Sequence, residues 1–345
     1  MPRARSGVSP VPPFWQFGHS KHMTHVSRFA SLALAAAAAL ASSASFAFGD
    51  KPVKLIVPAP AGGTMDATAR IISDLLAQEI KQPVVVENKP GAGGAIAVKY
   101  MLSLPADGQA LMVTASNILT EIPHVLKGGF DPLKDVKPVA LMSQSTMVLI
   151  AAPQFPAKDF KEAVAYVKSH PRQVSYASYG PGTSSQYAGA ILNQKAGLDL
   201  QHVAFPGSAP ALAQVMGGQI PLMFDGAVTS RPLVSSGRVK LLGVAYKTRL
   251  PDYPNTPTLT ELGYPDINFS NWVGVIASSK LPAPMATQIH EVLQKIAATQ
   301  TFRDRAATAG FDPIAPRSLE QAAREVREEH ARNAEIVKAY GIKLD

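Results

Sequence analysis

This sequence predicts an α/β fold of two lobes, each a sheet flanked by helices, with a cleft between them. Three observations carry that expectation. Strand and helix patterns alternate from Val53 to Tyr340, which argues for parallel sheets covered on both faces. The alternation runs longer than one sheet comfortably holds, and two apolar stretches, 140–152 and 270–277, read as crossings between lobes. Glycine-bearing turns follow several strands, and ligands in such folds sit outside the carboxyl ends of strands, against helix amino ends.

The elements follow in order. Residues 53–57 (VKLIV) form a strand. Residues 66–80 form a helix, because Ala69, Ile72, Leu75, Leu76 and Ile80 share a face. Strands are expected at 83–87 and 111–114, with a helix at 95–104 stopped by Pro105. The long apolar stretch 138–152 comes next. The middle alternates helix 160–169, strand 174–177, helix 185–196, strand 201–205, helix 210–216, and strands at 222–224 and 239–245. After the apolar segment 272–277, helices are expected at 285–299, 302–309 and 318–340, the last opened by a Ser318–Gln321 capping box. If both apolar stretches cross, one lobe is 50–147 plus 273–345 and the other is 148–272.

Residues 1–47 are set apart as a secretory signal. The apolar run 29–41 has 13 residues, short of the roughly 20 that span a membrane. Lys21, His25 and Arg28 precede it, and small residues follow. Cleavage is expected after Ala44 or Ala47, and Met23 is an alternative start. The formal charge of the whole chain is +8. Residues 1–48 hold Arg3, Arg5, Lys21 and Arg28 and no acid, so the mature part is only mildly basic. Its cations are scattered, which argues against nucleic acid as a partner. With no cysteine, thiolate nucleophiles, disulfides and cysteine-held metals are excluded. The histidines beyond residue 48, namely His124, His170, His202, His290 and His330, lack metal-ligand spacing, and no cofactor is expected. Neither a G-x-S-x-G elbow nor a phosphate-binding P-loop is present. Gly91–Ile96 only partly imitates a dinucleotide loop, since Ile96 stands at the third glycine position.

Three strand-to-helix turns carry the chemistry. The first holds Gly62, Gly63, Thr64 and Asp66. The second holds Tyr179, Gly180, Gly182, Thr183 and Ser184, and the third Phe205, Gly207 and Ser208. Glycine lets a ligand approach backbone N–H groups closely, and a helix amino end favours an anion. Thr64, Asp66 and Ser208 are candidate caps. Asp225, at the end of a strand, either accepts hydrogen bonds from a ligand or caps a neighbouring loop. Thr114, Ser116 and Asn117 follow the third strand and face the same cleft. Trp272 is expected in hinge or core packing.

Several of these segments together resemble the Bug family, the extracytoplasmic solute receptors of tripartite tricarboxylate transporters. The resemblance is carried by 51–53 with 58–63 and Asp66, by 83–94, 105–108 and 131–135, and by 207–212, 217–219 and 223–225. It implies a two-lobed periplasmic binding protein fold of type II, acting as a monomer in the periplasm. It also implies a small carboxylate ligand gripped by backbone N–H groups of the first two glycine turns, with Asp225 facing the rest of the ligand. Permease subunits in the membrane would be the partners, and no catalytic residue is implied. The chain departs from the family pattern at Gln186, where a His is common, at Ala190, where an acid is common, and at Gly226, where Asn is common. The alternatives are a secreted α/β hydrolase using Ser184 as nucleophile, or a sensor that signals to a membrane partner.

Overall fold

The computed structural model describes residues 48, 51–61 and 64–343. The expected signal segment, its cleavage sites, and Gly62 and Gly63 lie outside the described residues. The first part of the chain runs β1 (Val53–Val57), α1 (Thr64–Ile80), β2 (Val84–Asn88), α2 (Ala95–Ser103), β3 (Ala110–Ala115), α3 (Asn117–Thr120) and β4 (Val136–Ala151). The middle runs α4 (Phe160–Ser169), β5 (Ser175–Ser178), α5 (Ser184–Ala196), β6 (Gln201–Ala204), α6 (Ser208–Met216), β7 (Leu222–Gly226), α7 (Ala227–Ser235) and β8 (Lys240–Val244). The last part is β9 (Ser270–Ser278), α8 (Ala283–Ala298), α9 (Gln300–Thr308), β10 (Asp312–Pro313) and α10 (Leu319–Tyr340).

Two-residue periodicity explains how the first sheet is covered. Val53, Leu55 and Val57 of β1 are buried in one apolar cluster, while Ile56 is buried in another. The same split places Leu111 and Val113 against Met112 in β3, and Val273, Val275 and Ala277 against Trp272 and Ile276 in β9. A strand buried on both faces needs helices on both. Ile72 and Leu76 of α1, Ile289 and Leu293 of α8 and Phe302 of α9 cover one face. Ala97 and Val98 of α2, Leu119 of α3, and Ala322 and Val326 of α10 cover the other.

The strands join in the order β2-β1-β3-β9-β4-β7-β5-β6, with β8 and β10 each paired to β4. β4 is the strand that passes through both halves. Its residues from Val136 to Thr146 pair antiparallel with β9, and those from Met147 to Ala151 pair with β7. The register between β4 and β9 shifts twice, between Pro138 and Ala140 and between Leu141 and Ser143. Gly274 is required there, because a Cβ would fall 2.2 Å from the Ala140 carbonyl oxygen. The two expected apolar stretches are β4, which pairs in both halves, and β9, which pairs in the first sheet alone; Trp272 is buried in the core.

The second half packs one core in which Val148, Ile150, Tyr187, Ile191, Val215, Met223 and Phe224 are buried. Ile336 and Ile342, at and just beyond the end of α10, join that core. α10 therefore packs on the first sheet at its start and on the second core at its end. Its expected capping box is present, with Ser318 Oγ accepting from Gln321 N–H and Gln321 Oε1 from Ser318 N–H. α7 was not expected. Its sequence AVTSRPLVS lacks a helical apolar stripe and contains Pro232; burial of Ala227 and Ser230 at its start holds it against the sheet.

Candidate functional site

Parallel pairing brings the later turns together. Ser178 of β5 pairs with Ala204 of β6, and Tyr176 of β5 pairs with Leu222 of β7. The chain segments leaving these strands therefore emerge at one edge of the sheet. The Phe205 N–H donates to the Ser178 carbonyl at 2.9 Å, seating the third turn beside the second. Within the second turn, Thr183 Oγ1 donates to the Gly180 carbonyl at 2.6 Å. Gly182 has φ 70°, and a Cβ on it would lie 2.1 Å from Val125 Cγ2. No larger residue fits the turn in its place, so the turn presses directly on the segment that follows α3.

A polar network crosses from the first sheet to this turn. Ser116 Oγ donates to Asn271 Oδ1 at 3.0 Å. Asn271 Nδ2 lies 3.1 Å from Tyr179 Oη and 3.0 Å from Ser184 Oγ, and those two hydroxyls are 2.8 Å apart. Burial, followed by the nearby Glu121 charge, pushes the Tyr179 phenol well above its ordinary pKa. It remains a neutral hydroxyl in this network.

Glu121 is the residue that sequence reasoning missed. It lies just past α3, is only 1% exposed, and its Oε2 accepts from the Ser184 N–H at 2.5 Å. Tyr187 Oη donates to its backbone carbonyl at 3.0 Å. Burial, and then the charge of Glu329, push its carboxyl up to about 8. Glu329, on α10, is itself pushed up to about 7, chiefly by burial, while it accepts from Trp272 Nε1 at 3.0 Å. The available signal was an acid set in the apolar run of ILTEIPHVL. Asn271, also missed, carries no sequence signal of its own.

The second turn's amides are therefore not bare, as the resemblance had implied. Gly182 N–H donates to Gln186 Oε1 at 2.7 Å, and Ser184 N–H donates to Glu121. Orphan donors at a helix start must find acceptors, and here two side chains of the same protein supply them. Gln186, which stands where the family commonly has His, also donates through Nε2 to the Lys343 carbonyl at 3.2 Å.

The other expected site residues are placed as follows. Asp66 is 2% exposed; it accepts from Arg70 Nε at 2.9 Å and from Asn88 Nδ2 at 3.0 Å. Thr64 is the first residue of α1. Asn117 opens α3, and its carbonyl accepts from the Glu121 N–H at 3.1 Å. Asp225 is 1% exposed and braces two helix starts. Its Oδ1 accepts from Ser208 Oγ at 2.5 Å, and its Oδ2 from Thr229 Oγ1 at 2.6 Å and Ser230 Oγ at 2.8 Å. Of the roles left open for Asp225, this is the loop-and-cap one. Ser208 does not cap its helix; Gly207 stands at the cap position and the hydroxyl serves Asp225.

No cluster of three or more His, Asp or Glu suited to a metal occurs among the described residues, and no described helix is long and apolar enough to cross a membrane.

Helix-covered sheets sharing one long strand, with turns meeting at strand ends, match the architecture of solved periplasmic binding proteins. A solved protein from Rhodopseudomonas palustris, MatC with bound malate, superposes with TM-score 0.76 at 31% identity, covering 84% of this chain and 100% of that one. Another R. palustris protein, with adipate, gives TM-score 0.78 at 26% identity, covering 85% and 98%. The family model described as "Tripartite tricarboxylate transporter family receptor" matches residues 68–342, and the chain belongs to that family. Among relatives, protein BugT of Bordetella pertussis is 27% identical over 306 residues, which is 85% of this chain and 90% of BugT. A protein encoded between tcbD and tcbE in a Pseudomonas species is 31% identical over 250 residues, 72% of this chain and 74% of that protein.

Proposed function

We propose that this chain is a periplasmic receptor, exported by its amino-terminal segment, that captures a small carboxylate and delivers it to tripartite tricarboxylate-type permease subunits. It acts as a monomer of two lobes, 50–147 plus 273–345 and 148–272, whose closure the ligand favours through contacts made only when they meet. The observation that carries this reading is the meeting of Ser116 and Asn271 with Tyr179 and Ser184 at strand ends, within a fold whose solved relatives hold malate and adipate. The family resemblance assigns the first glycine turn, with Gly62, Gly63, Thr64 and Asp66, to the same ligand. Asn117, Tyr179, Gly180, Gly182, Thr183 and Ser184 form the floor and near wall, where the hydroxyls orient the ligand while the Gly182 and Ser184 amides stay held by Gln186 and Glu121. Phe205 and Asp225 hold the third turn in place.

No covalent chemistry is part of this reading. As a hydrolase nucleophile, Ser184 would need a base at hydrogen-bond distance. Its Oγ meets Tyr179 Oη and Asn271, which accept no proton at neutral pH, and the carboxyl within its reach, Glu121, is held mainly neutral there by burial. The test is calorimetric titration of the purified protein with malate, adipate, glutamate and benzoate, alongside turnover of ester substrates. Saturable 1:1 binding of a carboxylate without turnover is expected. A flat response to every acid, or ester turnover lost in Ser184→Ala, refutes the proposal.

A further inference from the structure

Glu121 is a buried carboxyl group that no part of the receptor mechanism uses. It reaches from the segment after α3 to the first amide of α5, and Ser184 at that amide is one hydrogen bond from Tyr179 and Asn271. We infer that Glu121 is a resident acid that makes anion capture depend on proton uptake: the site takes a carboxylate ligand while Glu121 is neutral and rejects it once Glu121 is ionised. This inference rests on the receptor reading above and adds a specificity-determining residue to the same site.

The physical argument is one of charge in an enclosed place. An ionised Glu121 already saturates the positive helix end that would otherwise attract the guest anion. A ligand carboxylate about 7 Å away, at an effective dielectric near 20, would be disfavoured on the order of 50-fold by that charge. A neutral Glu121 removes the repulsion while still accepting from Ser184. Its surroundings favour the neutral form. Glu329 on α10 adds a negative charge, only partly offset by Arg332 on the same helix. His330, also on α10, is held by the Leu119 carbonyl and lies with its ring 4.2 Å from that of His124. On the α5 side, Tyr179 and Tyr187 stay neutral, since burial and Glu121 itself push both hydroxyls up. The direction found for the Glu121 carboxyl, up to about 8, puts the change within reach of ordinary buffers.

The test uses malate and adipate, which stay fully ionised from pH 7 to 9. Wild-type affinity for whichever acid binds should fall about eightfold from pH 7 to pH 9, and the Glu121→Gln protein should show no fall. Titration of the wild type at pH 8, in two buffers of unlike ionisation enthalpy, should show uptake of about half a proton per ligand. This second measurement stands even where the variant fails to fold. Equal pH profiles for the two proteins, or zero proton uptake, overturn the inference and leave the receptor reading intact. Absence of binding by either protein at any pH overturns the receptor reading itself.

Discussion

The buried Glu121 carboxyl has a consequence for stability that needs no ligand. In the unfolded chain it titrates near its ordinary 4.5, whereas in the fold it titrates at about 8. Between those values the folded protein holds a proton that the unfolded chain has released. Stability therefore falls as pH rises across that window and levels off above it. Each pH unit costs about 1.4 kcal/mol, so the whole window amounts to about 5 kcal/mol as an upper limit. That is a large share of the roughly 5–15 kcal/mol typical of a domain. Glu121→Gln keeps an oxygen for the Ser184 N–H and cannot ionise. Its stability relative to wild type should climb from pH 5 to pH 8. Urea unfolding followed by tryptophan fluorescence at each pH unit measures both. Glu329 titrates in both proteins and is coupled to Glu121, so the difference curve reports loss of the Glu121 charge together with its effect on Glu329. A difference that is constant with pH, or that shrinks as pH rises, refutes the burial argument.

Three further outcomes follow from the same geometry. Gly182→Ala should cost about 1–3 kcal/mol of stability, because its Cβ meets Val125 and φ is 70°; adding Val125→Ala should recover part of that loss in denaturant melts, and no recovery would place the cost elsewhere. Asp225→Ala leaves the hydroxyls of Ser208, Thr229 and Ser230 without their shared acceptor; thermal unfolding should show a loss of about 2–5 kcal/mol. Ser318→Ala removes the cap of α10 and should cost about 1 kcal/mol, with carboxylate binding by calorimetry unchanged.

What was legible in the sequence follows from what periodicity records. β1 announces itself because alternate residues enter different cores. β4 and β9 do so through the buried runs 139–142, 147–151 and 272–277, which are largely apolar because both faces of the strand are covered. The turns were legible because Gly182, at φ 70° and against Val125, is a position that backbone geometry reserves for glycine. α7 stayed hidden because burial of two small residues and a strand-end start, rather than an apolar stripe, hold it in place. The partners of the second turn stayed hidden for a different reason. Its Ser184 amide is matched by Glu121, 63 residues away, and its hydroxyls by Asn271, 87 residues from Ser184. Local composition contains no trace of such pairings.

The position of Asn271 explains why the site and the crossing strands belong to one design. It is the second residue of β9, the strand that returns the chain to the first sheet, and it pairs with Ser145 of β4, beside the point where β4 passes from one sheet to the other. On the two-lobed reading, relative motion would be smallest where the connecting strands cross. A short amide there bonds Ser116, after β3 of the first sheet, and Tyr179 and Ser184, after β5 of the second half. Glu121 reaches the same helix start from the segment after α3. On the two-lobed receptor reading proposed above, the polar floor would stand at the pivot, where opening and closing change its geometry least.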